Sequence, residues 1–463
     1  MRRAVFVLGV LAAVLLAGCG GSGGGTDATG DSGADFTPAG APLYMYFNAD
    51  RDSAQWNDLE ALVDKFPDGD RLGQQLVESL AEEGVDYDDD VEPALGPEVA
   101  LALLSFAGDT DDNFIGATKP DDDGKFEALV RKLNEDDPSD PALSRLVDGW
   151  RVIASTEGAL DEAEQAHEGT SLADNDTFEE AMGELPDEAL FKLYVDSAAA
   201  ARGLGEDAAA LSDFSWLSVA VTAAGDGIGF DSAAKISGGA PDNYRATLTD
   251  DIPEGVLFAL GFKGVGGQLR DADLDQYLDA YSGISADDLA NLFDGEAAFY
   301  VRSASPIPEV TLLLENSGGR LETVDRVMQD VATSTGSTIE TVAQGEKELN
   351  YGGFAIRYGI FEDKVVVTTA ADGIAVAGED GDKLADDSDF RAAVDAAGMP
   401  DENAGFTYVN IEDSIPVLAG YLSAAGEPLD SDLQANLRPL KSFLAFAERD
   451  GSIVRGKGFL RID

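Results

Sequence analysis

The chain carries one cysteine, Cys19, and one histidine, His167, against 89 aspartates and glutamates. That inventory bounds the chemistry open to it. Zinc, copper and haem sites need several Cys or His ligands, and these cannot be assembled here. A Ser-His-Asp device would have to use His167. That residue lies in Glu164-Gln165-Ala166-His167-Glu168, a polar helix end, and reads as an exposed side chain. Paired carboxylates can hydrolyse glycosides, but with 89 of them some pair at a suitable separation is unavoidable. Oxygen-ligated calcium has one weak candidate, Asn48, Asp50 and Asp52, whose alternate spacing begins an EF-hand-like loop. The sixth position is Ser53 where that loop needs Gly, and the twelfth is Leu59 where it needs Glu. The clusters Asp88–Asp90, Asp109–Asp112 and Asp121–Asp123 read as solvated loops or helix starts, where carboxylates meet the positive end of the helix dipole. Gly261-Phe262-Lys263-Gly264-Val265-Gly266-Gly267 is glycine-rich, but Leu269 stands where a dinucleotide fingerprint needs its third glycine, so it reads as a loop. No metal and no cofactor is expected, and the chain reads as non-enzymatic.

Cys19 has a different chemistry in view. Arg2 and Arg3 precede an apolar run, Ala4 to Leu16, which is too short for a relaxed membrane span but fits a signal peptide. Leu16-Ala17-Gly18-Cys19 then resembles the bacterial lipobox, with small residues where a peptidase must reach the backbone. The resemblance implies cleavage between Gly18 and Cys19 and a diacylglyceryl group on the Cys19 sulfur. Each buried acyl methylene contributes about 0.8 kcal/mol, so the lipid would hold the chain on the outer face of a membrane. Residues 1–18 are the expected signal peptide. Residues 19–40 follow as a Gly, Ser, Thr and Asp tether that cannot bury enough apolar surface to offset its ordering entropy.

The formal net charge is −58. Such a field repels phosphate backbones and excludes nucleic acid as a partner. It also opposes anionic lipid heads, which leaves attachment to the acyl group.

The elements that would position any site are written twice, about 210 residues apart. Leu172-Ala173-Asp174-Asn175-Asp176-Thr177-Phe178 matches Leu384-Ala385-Asp386-Asp387-Ser388-Asp389-Phe390. Leu193-Tyr194-Val195-Asp196 matches Thr407-Tyr408-Val409-Asn410. Looser pairs are Ala41-Pro42 with Ile252-Pro253, and Gly96-Pro97-Glu98 with Asp294-Gly295-Glu296. The second copy gains a segment near Ser337 to Phe361. Two repeats are expected, residues 41–240 and 250–463.

Period-two alternation predicts strands, with Leu43, Met45 and Phe47 on one face and Tyr44 and Tyr46 on the other. Trp56, Leu59, Val63 and Phe66 predict a helix. Hairpins are expected at Gly225-Asp226-Gly227 and Asp450-Gly451. Paired strands broken by helices point to an α+β fold, each repeat a mostly antiparallel sheet packed with helices. The alternation suggests that one sheet face is wet or lines a cavity. Tyr44, Tyr46, Trp56, Trp150 and Trp216 read as core, with an apolar ligand groove as the sharper alternative.

The opening Pro42-Leu43-Tyr44-Met45-Tyr46-Phe47, the Trp56 to Phe66 helix, and Leu172-Ala173-Asp174 with Phe178 resemble the "domain of unknown function 3352" family of bacterial exported proteins. The resemblance implies this architecture over nearly the whole mature chain and no catalytic residues. The expected role is a membrane-tethered, extracytoplasmic binding or interaction module, with a protein or small molecule as its partner. Its rivals are a lipid or small-solute carrier with a cleft between the repeats, and a carboxylate-only hydrolase.

Overall fold

The computed structural model describes residues 32–69, 71, 86–106, 113–136, 138, 141–204, 213–271, 285–304, 307–351, 353–378 and 381–463. Gly18, Cys19, the signal peptide and Asp109–Asp112 lie outside the described residues. The chain divides into two compact units, Met1–Ser237 with Ile462–Asp463, and Gly238–Arg461.

Unit 1 is built on eight strands: β1 (Leu43–Asn48), β2 (Glu98–Leu103), β3 (Phe114–Thr118), β4 (Leu143–Val147), β5 (Trp150–Ala154), β6 (Phe191–Asp196), β7 (Phe214–Ala224) and β8 (Gly227–Ile236). Their helices are α1 (Ala54–Val63), α2 (Asp123–Asp136), α3 (Glu157–Glu168), α4 (Asp176–Met182) and α5 (Ser197–Leu204). The strands pair antiparallel in the order β8-β7-β6-β1-β2-β3-β5-β4. The predicted β7–β8 hairpin turns at Gly225-Asp226.

Unit 2 contains β9 (Tyr244–Arg245), β10 (Val256–Lys263), β11 (Glu296–Arg302), β12 (Glu309–Glu315), β13 (Ile339–Ala343), β14 (Glu346–Tyr351), β15 (Phe354–Phe361), β16 (Lys364–Thr368), β17 (Glu402–Asn403), β18 (Gly405–Asn410), β19 (Leu440–Asp450) and β20 (Ile453–Ile462). Helices α6 (Gly266–Asp271), α7 (Ala286–Leu292), α8 (Arg320–Thr335), α9 (Ser388–Ala397), α10 (Ile411–Ala425) and α11 (Ser431–Leu437) complete it. The order is β20-β19-β18-β10-β11-β12-β16-β15-β14-β13, with β9 and β17 as a separate small pair. Each unit is therefore α+β with an antiparallel sheet. Set side by side, the two orders match strand for strand, and unit 2 adds β13 and β14 at one end. That addition is the extra segment near Ser337. Gly261–Lys263 complete β10 and Gly266–Asp271 form α6, so this glycine-rich run is strand and helix rather than a loop.

Two expectations need correction. The tether does not run to Gly40. Ser32–Phe36 form a 3-10 turn in which Ala34 and Phe36 are 0% and 1% exposed. Pro38 bridges to Ser171, and Leu172 N donates to Thr37 O at 2.7 Å. In unit 2, Pro253 bridges to Lys383 and Leu384 N donates to Ile252 O. Pro253 thus occupies the place of Pro38, not of Pro42. Phe36 is the physical reason: one large apolar ring within a polar segment is enough to dock it.

The central sheet faces are not wet. Tyr44 and Tyr46 are fully buried. The opposite face of β1 and β2 buries Phe47, Val99 and Leu101 against Met45, Leu95 and Phe191. Unit 2 likewise carries separate apolar clusters, one around Tyr300, Leu313 and Tyr408, another around Leu314, Val324 and Tyr358. A tyrosine buries a large ring and can spare one hydroxyl, so its polarity misleads a binary reading.

The aromatic packing recurs in both units. Phe178 meets Tyr44 and Tyr194 edge-on, with ring centroids 5.3 Å and 5.1 Å apart. Phe390 meets Tyr408 edge-on at 5.1 Å. Tyr44 pairs with Ala102, whereas the corresponding pair in unit 2 is Ala259 with Tyr300. The large ring of the pair is on β1 in unit 1 and on β11 in unit 2. Burial pushes the phenols of Tyr194 and Tyr408 above their ordinary range.

Candidate functional site

The residues singled out by type do not converge. His167, near the end of α3, is half-buried rather than exposed. Its ring stacks on Phe36 with centroids 4.5 Å apart and planes 12° apart, and its Nε2 lies 3.0 Å from Asp148 Oδ2. It is occupied in packing. The calcium candidates form two Asx turns that lead into α1. Asn48 Oδ1 accepts from Asp50 N at 2.9 Å, and Asp50 Oδ1 accepts from Asp52 N at 3.0 Å. Ser53 caps the helix by accepting from Trp56 N. The Asn48 and Asp50 side-chain oxygens thus accept from the backbone. Among the described residues, no three His, Cys, Asp or Glu are grouped so as to hold a metal ion. Tyr44, Tyr46, Trp56 and Trp216 are fully buried, and Trp150 packs against Phe36 with centroids 5.3 Å apart. They are core.

What sequence reasoning missed is a groove of about 500 Å³ in unit 1, open to solvent, between α2 and the β4–β5 hairpin. From α2 come Glu127, Val130, Arg131, Asn134 and Glu135. The hairpin supplies Ser144 and Arg151. Its position follows from local chemistry. Asp122 caps α2 by accepting from Lys125 N at 3.1 Å. Asn134, at the other end, accepts from Ala142 N and donates to Ala142 O, which fixes the entry to β4. Asp148 and Gly149, both at positive φ (47° and 84°), form a two-residue turn with the twist a tight hairpin requires.

The groove wall is held by ions. Arg151, 8% exposed, donates to Asp123 Oδ1 and Oδ2 at 2.5 and 2.6 Å and to Glu127 Oε1 at 2.8 Å. This fork holds the Asp123 carboxyl below the usual carboxylate range. On the opposite face of β4, Arg145 donates to Glu164, Asp161 and Glu157 at 2.7, 2.8 and 2.9 Å. Those bonds, the one to Asp161 foremost, raise its own affinity for its proton. Leu146, on the Ser144 face of β4, is 54% exposed. The arrangement presents fixed charges, a half-open apolar side chain and a strand edge. No nucleophile beside a base is among the lining residues.

Each unit is thus an α+β fold, and in unit 1 a groove lies between α2 and the β4–β5 hairpin. Residues 3–135 match the model of a family described as "Protein of unknown function (DUF3352)". The match includes Pro42–Phe47 and the α1 region but stops short of Leu172-Ala173-Asp174 and Phe178. No curated protein matches the chain. Among solved structures, "Structure of crystal form IV of TP0453" is similar at 10% identity and a TM-score of 0.26, over 47% of this chain and 93% of that chain. "Structure of crystal form III of TP0453" is similar at 9% identity and a TM-score of 0.24, over 45% and 81%.

Proposed function

We propose that this chain is an extracytoplasmic lipoprotein, anchored by a diacylglyceryl group on Cys19 and built from two homologous repeats. It acts as a binding or interaction module without catalytic activity. The carrying observation is Leu16-Ala17-Gly18-Cys19 after a short apolar run, with the chain's single cysteine at the one place where acylation needs it. Among the described residues no helix is long and apolar enough to cross a membrane. The shared strand order, the recurrent Phe–Tyr packing and the equivalent Pro38 and Pro253 bridges support descent from one duplicated unit. The groove between α2 and the β4–β5 hairpin is the surface we assign to a partner.

The test is membrane retention. Wild-type protein is expected in the membrane fraction, with a mass at Cys19 that accounts for the acyl chains. The Cys19→Ser form is expected to escape cleavage and acylation. Equal maturation and retention of both forms would defeat the anchor. Turnover of any substrate lost on replacing one groove carboxylate would defeat the non-catalytic reading.

A further inference from the structure

We infer that α10 and α11 of unit 2 lie on a bilayer of zwitterionic lipid, with the uncharged run of α10 set at the boundary between headgroups and acyl chains. This deepens the reading of a membrane-tethered chain, on which it rests, by giving the membrane a second point of contact.

A helix in a folded unit keeps its place mainly by burying one face. In unit 2, α8 buries Val324 and Ala332, and α9 buries Phe390 and Ala393. α10 and α11 bury no residue. Yet α10 is not a polar helix. From Ser414 to Gly426 thirteen residues pass without one charge, in a chain of which 26% is charged. Leu418 on α10 and Leu433 on α11 are 52% and 50% exposed. Unit 1 shows that the fold does not require this exposure. Its α5 makes the same connection, from β6 to β7, and buries Ser197 and Ala200.

What meets such a surface follows from its chemistry. Protein interfaces draw on tryptophan, arginine, methionine and phenylalanine as anchors, and none of these occurs from Ile411 to Leu437. The one aromatic residue there, Tyr421, donates its hydroxyl to Ala304 O at 2.9 Å. A second copy would bring like charges, since Glu412 and Asp413 stand exposed at one end of the run and Glu427, Asp430 and Asp432 at the other. Aliphatic side chains without directional groups suit fluid acyl chains, which ask for no fixed geometry. The acidic ends suit headgroups that present an ammonium, as phosphatidylcholine and phosphatidylethanolamine do, and oppose anionic ones. The 15 residues of α10 extend about 22 Å, short of the roughly 30 Å of hydrocarbon, so the helix lies in the interface and does not cross.

The full acylated chain in phosphatidylcholine–phosphatidylethanolamine vesicles tests this. With the Cys19 sulfur acylated, Leu418→Cys or Leu433→Cys gives one free thiol for an environment-sensitive dye. Each dye should shift to the blue and lose most of its emission to nitroxide-labelled acyl chains. A dye on Leu146→Cys, 54% exposed in unit 1, should do neither. Adding phosphatidylglycerol should weaken the quenching at α10 and α11. Ser423→Cys, also exposed on α10, gives the same readout if a leucine variant loses its far-ultraviolet dichroism. Dyes that stay wet on both helices overturn the docking. A blue shift without quenching does so too, because a protein then covers the helices. Equal quenching at Leu146→Cys, or quenching that phosphatidylglycerol leaves unchanged or strengthens, has the same consequence. Acylation is read separately, from the mass at Cys19, so an acylated chain with wet dyes sinks the docking and leaves the anchor standing.

Discussion

Replacing Phe36 by alanine separates a docked segment from a tether. The ring is 1% exposed, stacked on His167 and tilted against Trp150 at 5.3 Å. Truncating a buried phenylalanine removes its transfer free energy and leaves a cavity, about 3–5 kcal/mol in total. The same change in a solvated tether costs within about 0.5 kcal/mol of zero. For a unit of this size each kcal/mol moves the melting point by about 2–4 °C, so a fall of about 6–20 °C is expected. The assay is built into the sequence. The chain has three tryptophans, Trp56, Trp150 and Trp216, and all lie in unit 1. Intrinsic tryptophan emission during urea titration therefore follows unit 1 alone, which avoids treating the whole chain as one cooperative transition. A midpoint unchanged by Phe36→Ala would refute the docking of residues 32–40 and the account of His167 with it.

Three further outcomes are expected. Tyr44→Ala should cost unit 1 about 3–5 kcal/mol, and adding Ala102→Tyr should recover at least 1 kcal/mol, a coupling of ordinary size for neighbouring residues; no recovery in tryptophan-monitored urea melts would sink the exchanged-ring reading. Asp288 is held at about 2 by Arg326, so its contribution is complete above about pH 4 and fades as pH falls toward 2; the difference in melting point between wild type and Asp288→Asn, read by circular dichroism, should close over that range, and a gap constant with pH would contradict it. Glu296 accepts from Thr247 N and Leu248 N at 2.5 and 2.7 Å; Glu296→Ala strands the buried Leu248 amide and should cost about 1–3 kcal/mol, with faster amide exchange at Leu248, and unchanged exchange there would count against the bond.

The position of strands along the chain was legible because alternation and turn chemistry are local. Leu43 to Phe47 alternates, and the hairpin at Gly225-Asp226 needs only its own residues. Tyr44 and Tyr46 were legible as core, but the burial of the opposite face was not, since it depends on Leu95 and Phe191 packing against Phe47, Val99 and Leu101. His167 misled for the same reason. Its sequence neighbours are acidic, while the ring that half-buries it, Phe36, comes from the start of unit 1. Glu98 and Glu296 were aligned with one another in the sequence, yet nothing marked them among 89 acids as buried acceptors, Glu98 taking Gly33 N at 2.9 Å. The groove was illegible because it arises from the gap between α2 and a hairpin, a relation that no periodicity encodes.

The few buried cations of this acidic chain are bonded within it. Among the described residues the most buried ones serve as internal ties. Lys192, Arg320, Lys364 and Arg151 are 3%, 5%, 6% and 8% exposed. Lys192 donates to Asp187 O, Arg320 to Leu292 O and Glu315 O, and Lys364 pairs with Asp251. Positive charge spent inside leaves an acidic exterior, and two such surfaces repel beyond contact distance. That repulsion is screened over about 8–10 Å at ordinary ionic strength.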